Sequence, residues 1–149
     1  MKGVNSQLDG LQAAFLSVKR PHLPRWNEAR SRHADAYAAE LNGVGDLLLQ
    51  QRSDSSTHVC HLFVIETERR DALREHLSER GVQTGIHDPI PIHRQEAYAD
   101  LGLPAGSFPV AERLVRQTLS LQMYPELTSE QIGAVTGAIR EFFASGRRR

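Results

Sequence analysis

The sequence is short of cysteine, of long apolar runs and of net charge, and each shortage excludes a class of protein. Its single cysteine, Cys60, rules out a disulfide within the chain and suits a reducing cytoplasm. No apolar run approaches the roughly 20 residues that a bilayer-spanning helix needs, and the opening MKGVNSQLDG lacks the apolar core of a secretory signal. The 18 basic and 18 acidic residues balance, so no overall positive field attracts nucleic acid. We expect a cytoplasmic protein without membrane or nucleic-acid partners.

Lysine is also scarce. Of the 18 basic residues, only Lys2 and Lys19 are lysines, and the rest are arginines. Covalent catalysis through a side-chain amine therefore has very few candidates. The arginines at the end of the chain, within residues 146–149, are expected to form a solvated basic tail.

The apolar pattern predicts helices that each carry one apolar face. The first, over 5–20, places Leu8, Leu11, Phe15 and Val18 on one side and stops at Pro21. The second, over 24–42, has a buried stripe and ends at Gly43. Further helices are predicted at 69–81, 94–102, 108–118 and 129–143, the last capped by Thr128. The expected inward residues of the second and last helices are Trp26, Ala29, His33, Tyr37, Leu41, Ile132, Val135, Ile139 and Phe142.

Strand-forming segments alternate with these helices. We predict strands at 46–50, 58–66, 82–87 and 119–123, with 58–66 central because it is apolar on both faces. The fold class is therefore α+β: a small, mainly antiparallel sheet covered by helices, with two N-terminal helices as an appendage. The expected organisation is a helical appendage over 1–45, a small domain over 46–145 and a tail over 146–149.

The stretch TGIHDPIPIH, residues 84–93, is the main candidate site. Pro89 and Pro91 forbid a helix and favour extended backbone, so His87 and His93 are held in a defined relation. Asp88 lies between the histidines and could orient or perturb one of them. Spacing alone leaves a substrate-binding loop and a buried structural cluster equally open, and it indicates no reaction class.

Metal binding and nucleophilic catalysis are less well supported. His58, Cys60 and His61 are close together, but on a strand His61 would point away from the other two. No second ligand pair has zinc-finger spacing, and His87 and His93 lack helical spacing. We expect these histidines to pack or hydrogen-bond, and Cys60 to be a small buried hydrophobe, with no metal bound.

A series of motifs, taken in order, resembles a known family. The motifs are NSQLDGLQAAFL, WNEAR, HVCHLFVI, RDALREHLSERGVQTGIHDPIPIH, AYADLG, FPVAERL and LSLQMYPELTSEQI. Over residues 5–143 they resemble the C-terminal part of the pyridoxal-phosphate-dependent sugar aminotransferases of the DegT/StrS group. In those enzymes a large domain holds the cofactor as a Schiff base with a lysine, and a small domain follows. The resemblance implies a chain that is inactive alone and works as a homo-oligomer or with a complementing large-domain chain.

The resemblance also assigns residues. Asn5 matches an asparagine that reaches across the dimer to the cofactor phosphate, and Gln7 stands where arginine is usual, which implies only a neutral hydrogen bond there. His87, Asp88 and His93 fall in the loop that helps to form the nucleotide-sugar pocket, and the histidines are expected to bind substrate rather than to transfer protons. Neither Lys2 nor Lys19 lies in a sequence like that of the cofactor lysine, and no catalytic residue is assigned.

Four positions depart from the family pattern. Asp88 replaces an aromatic residue, Cys60 a tryptophan, Gln122 a proline and Gln7 an arginine. An acid at position 88 would repel the diphosphate of a nucleotide-sugar, and cysteine for tryptophan leaves a void unless neighbours compensate. These changes indicate relaxed constraint or a shifted role. Two functions remain as alternatives to the small domain of a sugar aminotransferase. One is a non-catalytic interaction module that uses the helices at 6–19 and 24–42, and the other is a small nucleotide-sugar-binding domain.

Overall fold

The computed structural model describes residues 9–53 and 55–146. Its α-helices are α1 (Gly10–Lys19), α2 (Leu23–Leu41), α3 (Arg70–Glu79), α4 (Pro109–Gln117) and α5 (Ser129–Ser145). Its strands are β1 (Leu48–Leu49), β2 (Phe63–Glu66) and β3 (Thr118–Leu121). Short 3-10 turns lie at Arg20–His22, Ile92–Arg94 and Glu96–Leu101. No helix in the described part of the chain is both long and apolar enough to cross a membrane.

The three strands form an antiparallel sheet in the order β1-β2-β3, which confirms the α+β class. In the pairing of β2 with β3, Phe63 lies opposite Leu121 and Val64 lies opposite Ser120. Because successive side chains of a strand point to opposite faces, this register separates two faces of the sheet. One face carries Phe63, Ile65, Leu119 and Leu121 into the core, and the other carries Val64 and Ser120.

The hydrophobic core lies between the inner face of the sheet and helices α2, α3 and α5. The Tyr37 ring of α2 stacks on Phe63 at 5.0 Å between centroids. The largest fully buried side chains are Tyr37, Leu41, Ile65, Leu73, Leu77, Leu119, Ile139 and Thr136. The core thus draws on residues from both sides of position 45, and the division of the chain there stays a prediction.

Helix limits follow from the capping residues that the sequence carries. Asp9 has an extended backbone and its side chain accepts the Gln12 N–H at 2.8 Å, so α1 begins at Gly10 and the helix predicted from residue 5 does not run through Asp9. Residues 5–8 lie outside the described residues. Pro21 separates α1 from α2 as predicted, because it sits in the 3-10 turn between them. Thr128 and Gln131 form the capping box of α5, with two reciprocal bonds of 3.2 and 2.9 Å.

Helix α1 packs less of its apolar face than the periodicity predicts. Leu11, Phe15 and Val18 are 69, 61 and 72% exposed, and no residue of α1 is buried. Leu8 lies outside the described residues. In α2 the predicted stripe is partly wrong, since Trp26 and His33 are only half-buried, whereas Ala29, Tyr37 and Leu41 are buried.

Two predicted strands are corrected by the structure. The central strand begins at Phe63 rather than residue 58, because Cys60 has a φ of 48° and its N–H is taken by His58 Nδ1 at 3.0 Å. Segment 82–87 makes a single bridge, from Gly85 to Ser120, and no regular strand. At Gln83 the backbone carbonyl accepts a hydrogen bond from the side-chain amide of Gln122, at 3.1 Å, rather than from a backbone N–H of β3. Segment 94–102 is a 3-10 turn over Glu96–Leu101 rather than an α-helix.

The buried hydroxyl of Tyr37 makes a stability test of the core. It has no hydrogen-bond partner among the described residues, and burial raises the pKa of Tyr37 to about 12. We expect Tyr37→Phe to leave the free energy of unfolding within ~1 kcal/mol of wild type or to raise it, because the change relieves a desolvated polar group.

Urea denaturation measures this, with Ile139→Ala, expected to cost ~2–5 kcal/mol, as the control for a lost apolar contact. Since the folded pKa is the higher one, the stabilisation from neutral Tyr37 is complete below about pH 10 and lost as the pH rises through about 12. The Phe variant should lack this alkaline loss. A Phe variant that is several kcal/mol less stable at neutral pH would contradict the assignment.

Candidate functional site

The loop over 84–93 leaves the edge of β3 and carries His87 back against the sheet. The Gly85 backbone pairs with Ser120 in both directions, at 3.0 and 2.8 Å. His87 Nδ1 then lies 2.9 Å from Ser120 Oγ on the outer face of β3. A Cβ at Gly85 would approach the His87 ring to 2.9 Å, so glycine leaves room for the imidazole. The His87 ring is therefore held by β3.

His93 is held by a different element, α4. It lies in the turn Ile92–Arg94, where its Nε2 is 3.0 Å from Glu112 Oε1. The Phe108 ring packs against the imidazole at 4.8 Å between centroids. The side chains of His93 and Glu112 are only 8% and 15% exposed. The second histidine of the loop is therefore largely enclosed and fixed by an acid.

Glu112 joins three segments through one carboxylate. Besides its contact with His93, it accepts the Gly106 N–H, at 2.8 Å to Oε1 and 3.0 Å to Oε2. Two contacts hold the pKa of the Glu112 carboxyl below its usual value. The hydrogen bond from the Gly106 N–H has the larger effect, and the hydrogen bond with His93 adds to it. Sequence reasoning missed this residue. The available signal was that Glu112 is the single acid in the predicted helix 108–118.

Asp88 has an unusual backbone and a free side chain. Its φ is 53°, in the left-handed region that Asp tolerates better than bulky or aromatic residues do. It is exposed, and its carboxylate makes no hydrogen bond or ion pair within residues 9–53 and 55–146. The acid at this position thus matches the local backbone, and its charge stays available to a ligand.

Two adjoining hollows flank the loop. The His93 pocket, of about 650 Å³, lies between the loop and α4, and the His87 pocket, of about 240 Å³, lies over the outer face of the sheet. Asp88 lines both. The structure therefore places the three predicted residues of the loop in the linings of two neighbouring hollows. Apolar side chains form most of the His93 pocket: Ile90, Pro91, Ile92, Leu101, Leu103, Phe108, Ala111, Leu114 and Val115.

The other candidate residues do not join this region. Asn5 and Gln7 lie outside the described residues. Cys60 is buried before β2 with its Sγ 3.3 Å from His58 Nδ1, while His61 is exposed. The described part of the chain holds no group of three His, Cys, Asp or Glu side chains that could bind a metal ion.

The sequence matches the profile of the DegT/DnrJ/EryC1/StrS aminotransferase family over residues 1–140, and the chain belongs to this family. It is 46% identical over 140 residues to the erythromycin biosynthesis sensory transduction protein EryC1 of Saccharopolyspora erythraea, covering 94% of this chain and 38% of that protein. It is 44% identical over 141 residues to dTDP-3-amino-3,4,6-trideoxy-alpha-D-glucose transaminase of Streptomyces venezuelae, covering 95% and 37%. The chain thus spans less than two-fifths of the length of these relatives.

Solved structures share the fold. The structure of S. venezuelae DesV in complex with a ketimine intermediate superposes with a TM-score of 0.88 at 44% identity, over 95% of this chain and 38% of that one. A family aminotransferase from Brucella abortus superposes with a TM-score of 0.85 at 34% identity, over 95% and 37%. The fold is therefore that of part of a sugar aminotransferase.

Pyridoxal phosphate, which the family implies, does not fit the residues of the two pockets. The cofactor needs a lysine amine for its Schiff base and donors for its phosphate. The pocket linings contain no lysine or arginine, so they offer neither the amine nor a cation for the phosphate. Their polar members are Asp88, the two histidines, Gln95, Tyr98, Thr118 and Ser120. Lys19, the lysine of the described residues, borders a separate hollow with Arg20 and Trp26. These two pockets therefore lack the amine that the Schiff base requires.

The lowered pKa of Glu112 predicts a specific acid sensitivity. A carboxyl whose folded pKa is depressed contributes stability that is complete above its unfolded pKa, near 4.5, and lost as the pH falls through the folded value. We expect Glu112→Gln to be less stable than wild type at neutral pH, and the difference to shrink below about pH 4.

Urea denaturation at several pH values measures the difference. The matched control is Glu75→Gln, which removes an exposed carboxylate from α3. An unchanged difference at acid pH would show that the carboxylate charge contributes nothing to stability.

Proposed function

We propose that this chain is the small domain of a nucleotide-sugar aminotransferase and that its loop over 84–93 forms the substrate-side wall of the active site. The carrying observation is that His87 and His93 are held by two different elements, β3 and α4, and line two adjoining hollows that share Asp88. Preorganised polar groups in a mostly apolar pocket are typical of small-molecule sites. The relatives support the substrate class, since one is a dTDP-sugar transaminase and another a UDP-N-acetyl-3-dehydro-alpha-D-glucosamine 3-aminotransferase.

The cofactor is proposed to come from a large domain outside these 149 residues, as further polypeptide or as a partner chain. That domain would supply the Schiff-base lysine, because Lys19 lines a separate hollow and neither loop pocket, and Lys2 matches no cofactor motif. Asn5 and Gln7 would approach the cofactor phosphate of a neighbouring subunit. By itself the chain would bind substrate without transferring an amino group.

The exposed apolar face of α1 supports such a partner. Leu11, Phe15, Leu16 and Val18 project from one helix without burial, and Leu23 continues them into α2. Apolar side chains clustered on one surface mark an interaction site more often than they mark plain surface. We propose that the large domain covers this face. The same face favours the second candidate function, a non-catalytic interaction module.

A chimera separates the two functions. Residues of this chain would replace the matching part of the S. venezuelae transaminase, to which it is 44% identical. We expect the chimera to transfer an amino group to the keto-sugar nucleotide of that enzyme, and the chain alone to be inactive. A chimera that folds and binds pyridoxal phosphate without activity, while the chain still docks on a large domain, would favour the interaction module. Robust amino transfer by the chain alone would contradict the proposal.

Asp88 gives a charge test of the substrate side. It lines both pockets, so its carboxylate would repel the diphosphate of a nucleotide-sugar whose sugar lies beside it. Because an asparagine amide keeps an acceptor oxygen for the sugar, we expect Asp88→Asn to tighten binding of dTDP-glucose to the chain by a factor of about 2 to 5, more at low salt. Calorimetry measures the dissociation constant, and Glu75→Gln controls for net charge. Equal gains from both variants would place the nucleotide-sugar away from this loop.

A further inference from the structure

We propose that Glu112 is a positioning residue that keeps the proton of His93 on Nε2 and leaves Nδ1 as a hydrogen-bond acceptor for the substrate. The inference rests on the proposed function for the identity of the ligand, and on the geometry alone for the position of the proton. It names a role for a residue outside the histidine loop.

The first step is that Glu112 can only accept. An ionised carboxylate has no donor, and its lowered pKa keeps Glu112 ionised near neutral pH. The Gly106 N–H at 2.8 and 3.0 Å occupies part of its acceptor capacity and locks the carboxylate in place. The remaining contact, 3.0 Å from Oε1 to His93 Nε2, is therefore a hydrogen bond that the imidazole must donate.

The second step concerns the other ring nitrogen. A neutral imidazole carries one proton, so a proton on Nε2 makes Nδ1 an acceptor. The side-chain hydrogen bond of His93 to Glu112 uses Nε2, so Nδ1 is the ring nitrogen left for a ligand. The ring cannot turn freely, because Phe108 packs on it and the side chain is 8% exposed.

The third step gives the ligand chemistry. Neutral His93 lines the apolar pocket of about 650 Å³ together with Asp88, whose carboxylate is also a hydrogen-bond acceptor. A ligand group that meets these two residues must donate hydrogen bonds. Sugar hydroxyls and a protonated sugar amine have this chemistry, whereas phosphate oxygens do not. His93 and Asp88 would thus contact the sugar rather than the diphosphate.

Nitrogen-15 NMR of the ligand-free chain tests the proton position. Near pH 8, where an ordinary histidine is neutral, we expect wild-type His93 to carry its proton on Nε2 and to exchange it slowly with water. In Glu112→Ala the exchange should be about tenfold or more faster, the factor expected for a lost hydrogen bond to a charged group. Glu112→Gln keeps the shape and an acceptor oxygen for both the Gly106 N–H and His93 Nε2–H, but it removes the charge. It should keep the proton on Nε2, with an exchange rate between those of wild type and Glu112→Ala.

Two controls separate positioning from structure. Glu141→Ala removes a different carboxylate, which lies in α5 and pairs with Arg80 at the C-terminal end of α3. This variant should leave the proton of His93 on Nε2. His87, whose Nδ1 contacts Ser120, should keep its spectrum in every variant. If Glu112 only ties down Gly106, a folded Glu112→Ala protein will show the wild-type proton position and exchange rate at His93, and this overturns the proposal. Wild-type His93 with its proton on Nδ1 also overturns it.

The ligand is tested separately by titrating dTDP-glucose into the same samples. We expect the His93 Nδ1 resonance to shift in wild type and to shift less in Glu112→Ala. Binding that leaves Nδ1 unmoved would contradict the sugar contact while leaving the proton position intact. Absence of any binding, with the proton on Nε2, would count against the proposed function alone.

Discussion

The antiparallel pairing of β2 with β3 is the interaction on which both the core and the site depend. Its register sends Leu119 and Leu121 inward beside Phe63 and Ile65, and leaves Ser120 on the outer face. A slip of one residue would exchange the two faces. Ser120 would then enter the core without its contact with His87, and two leucines would reach the loop. The same pairing therefore both buries apolar surface and anchors the histidine.

The two histidines of the loop are fixed by contacts with two different elements. β3 holds His87 through Ser120, and α4 holds His93 through Glu112 and Phe108. Helix α4 is itself tied to the sheet, because Arg113 pairs with Glu66 of β2. Binding groups placed on rigid elements lose little freedom when a ligand arrives, so less binding free energy is spent on ordering them. The prolines contribute stiffness, but the two anchors set the positions.

The sequence predicted helices better than strands, for a physical reason. Helix α5 shows its apolar period, its capping box and its inward residues within one continuous segment, and each was confirmed. Strand limits depend on partners far along the chain. The strand predicted from residue 58 fails at Cys60, whose backbone turns left-handed to meet His58, and 82–87 pairs at Gly85 alone. Glu112 was missed for the same reason, since 19 residues separate it from His93.

The sequence by itself determined most of the helices and the family, because apolar periodicity and capping are local and the motifs keep their order along the chain. It also predicted the three loop residues as a candidate site. The tertiary structure decided which partners those residues have. Only the packing of α4 beside the loop shows that His93 meets a carboxylate, and only the register of β3 shows that His87 meets Ser120. It also showed that the apolar face of α1 is left exposed, because no other described element covers it.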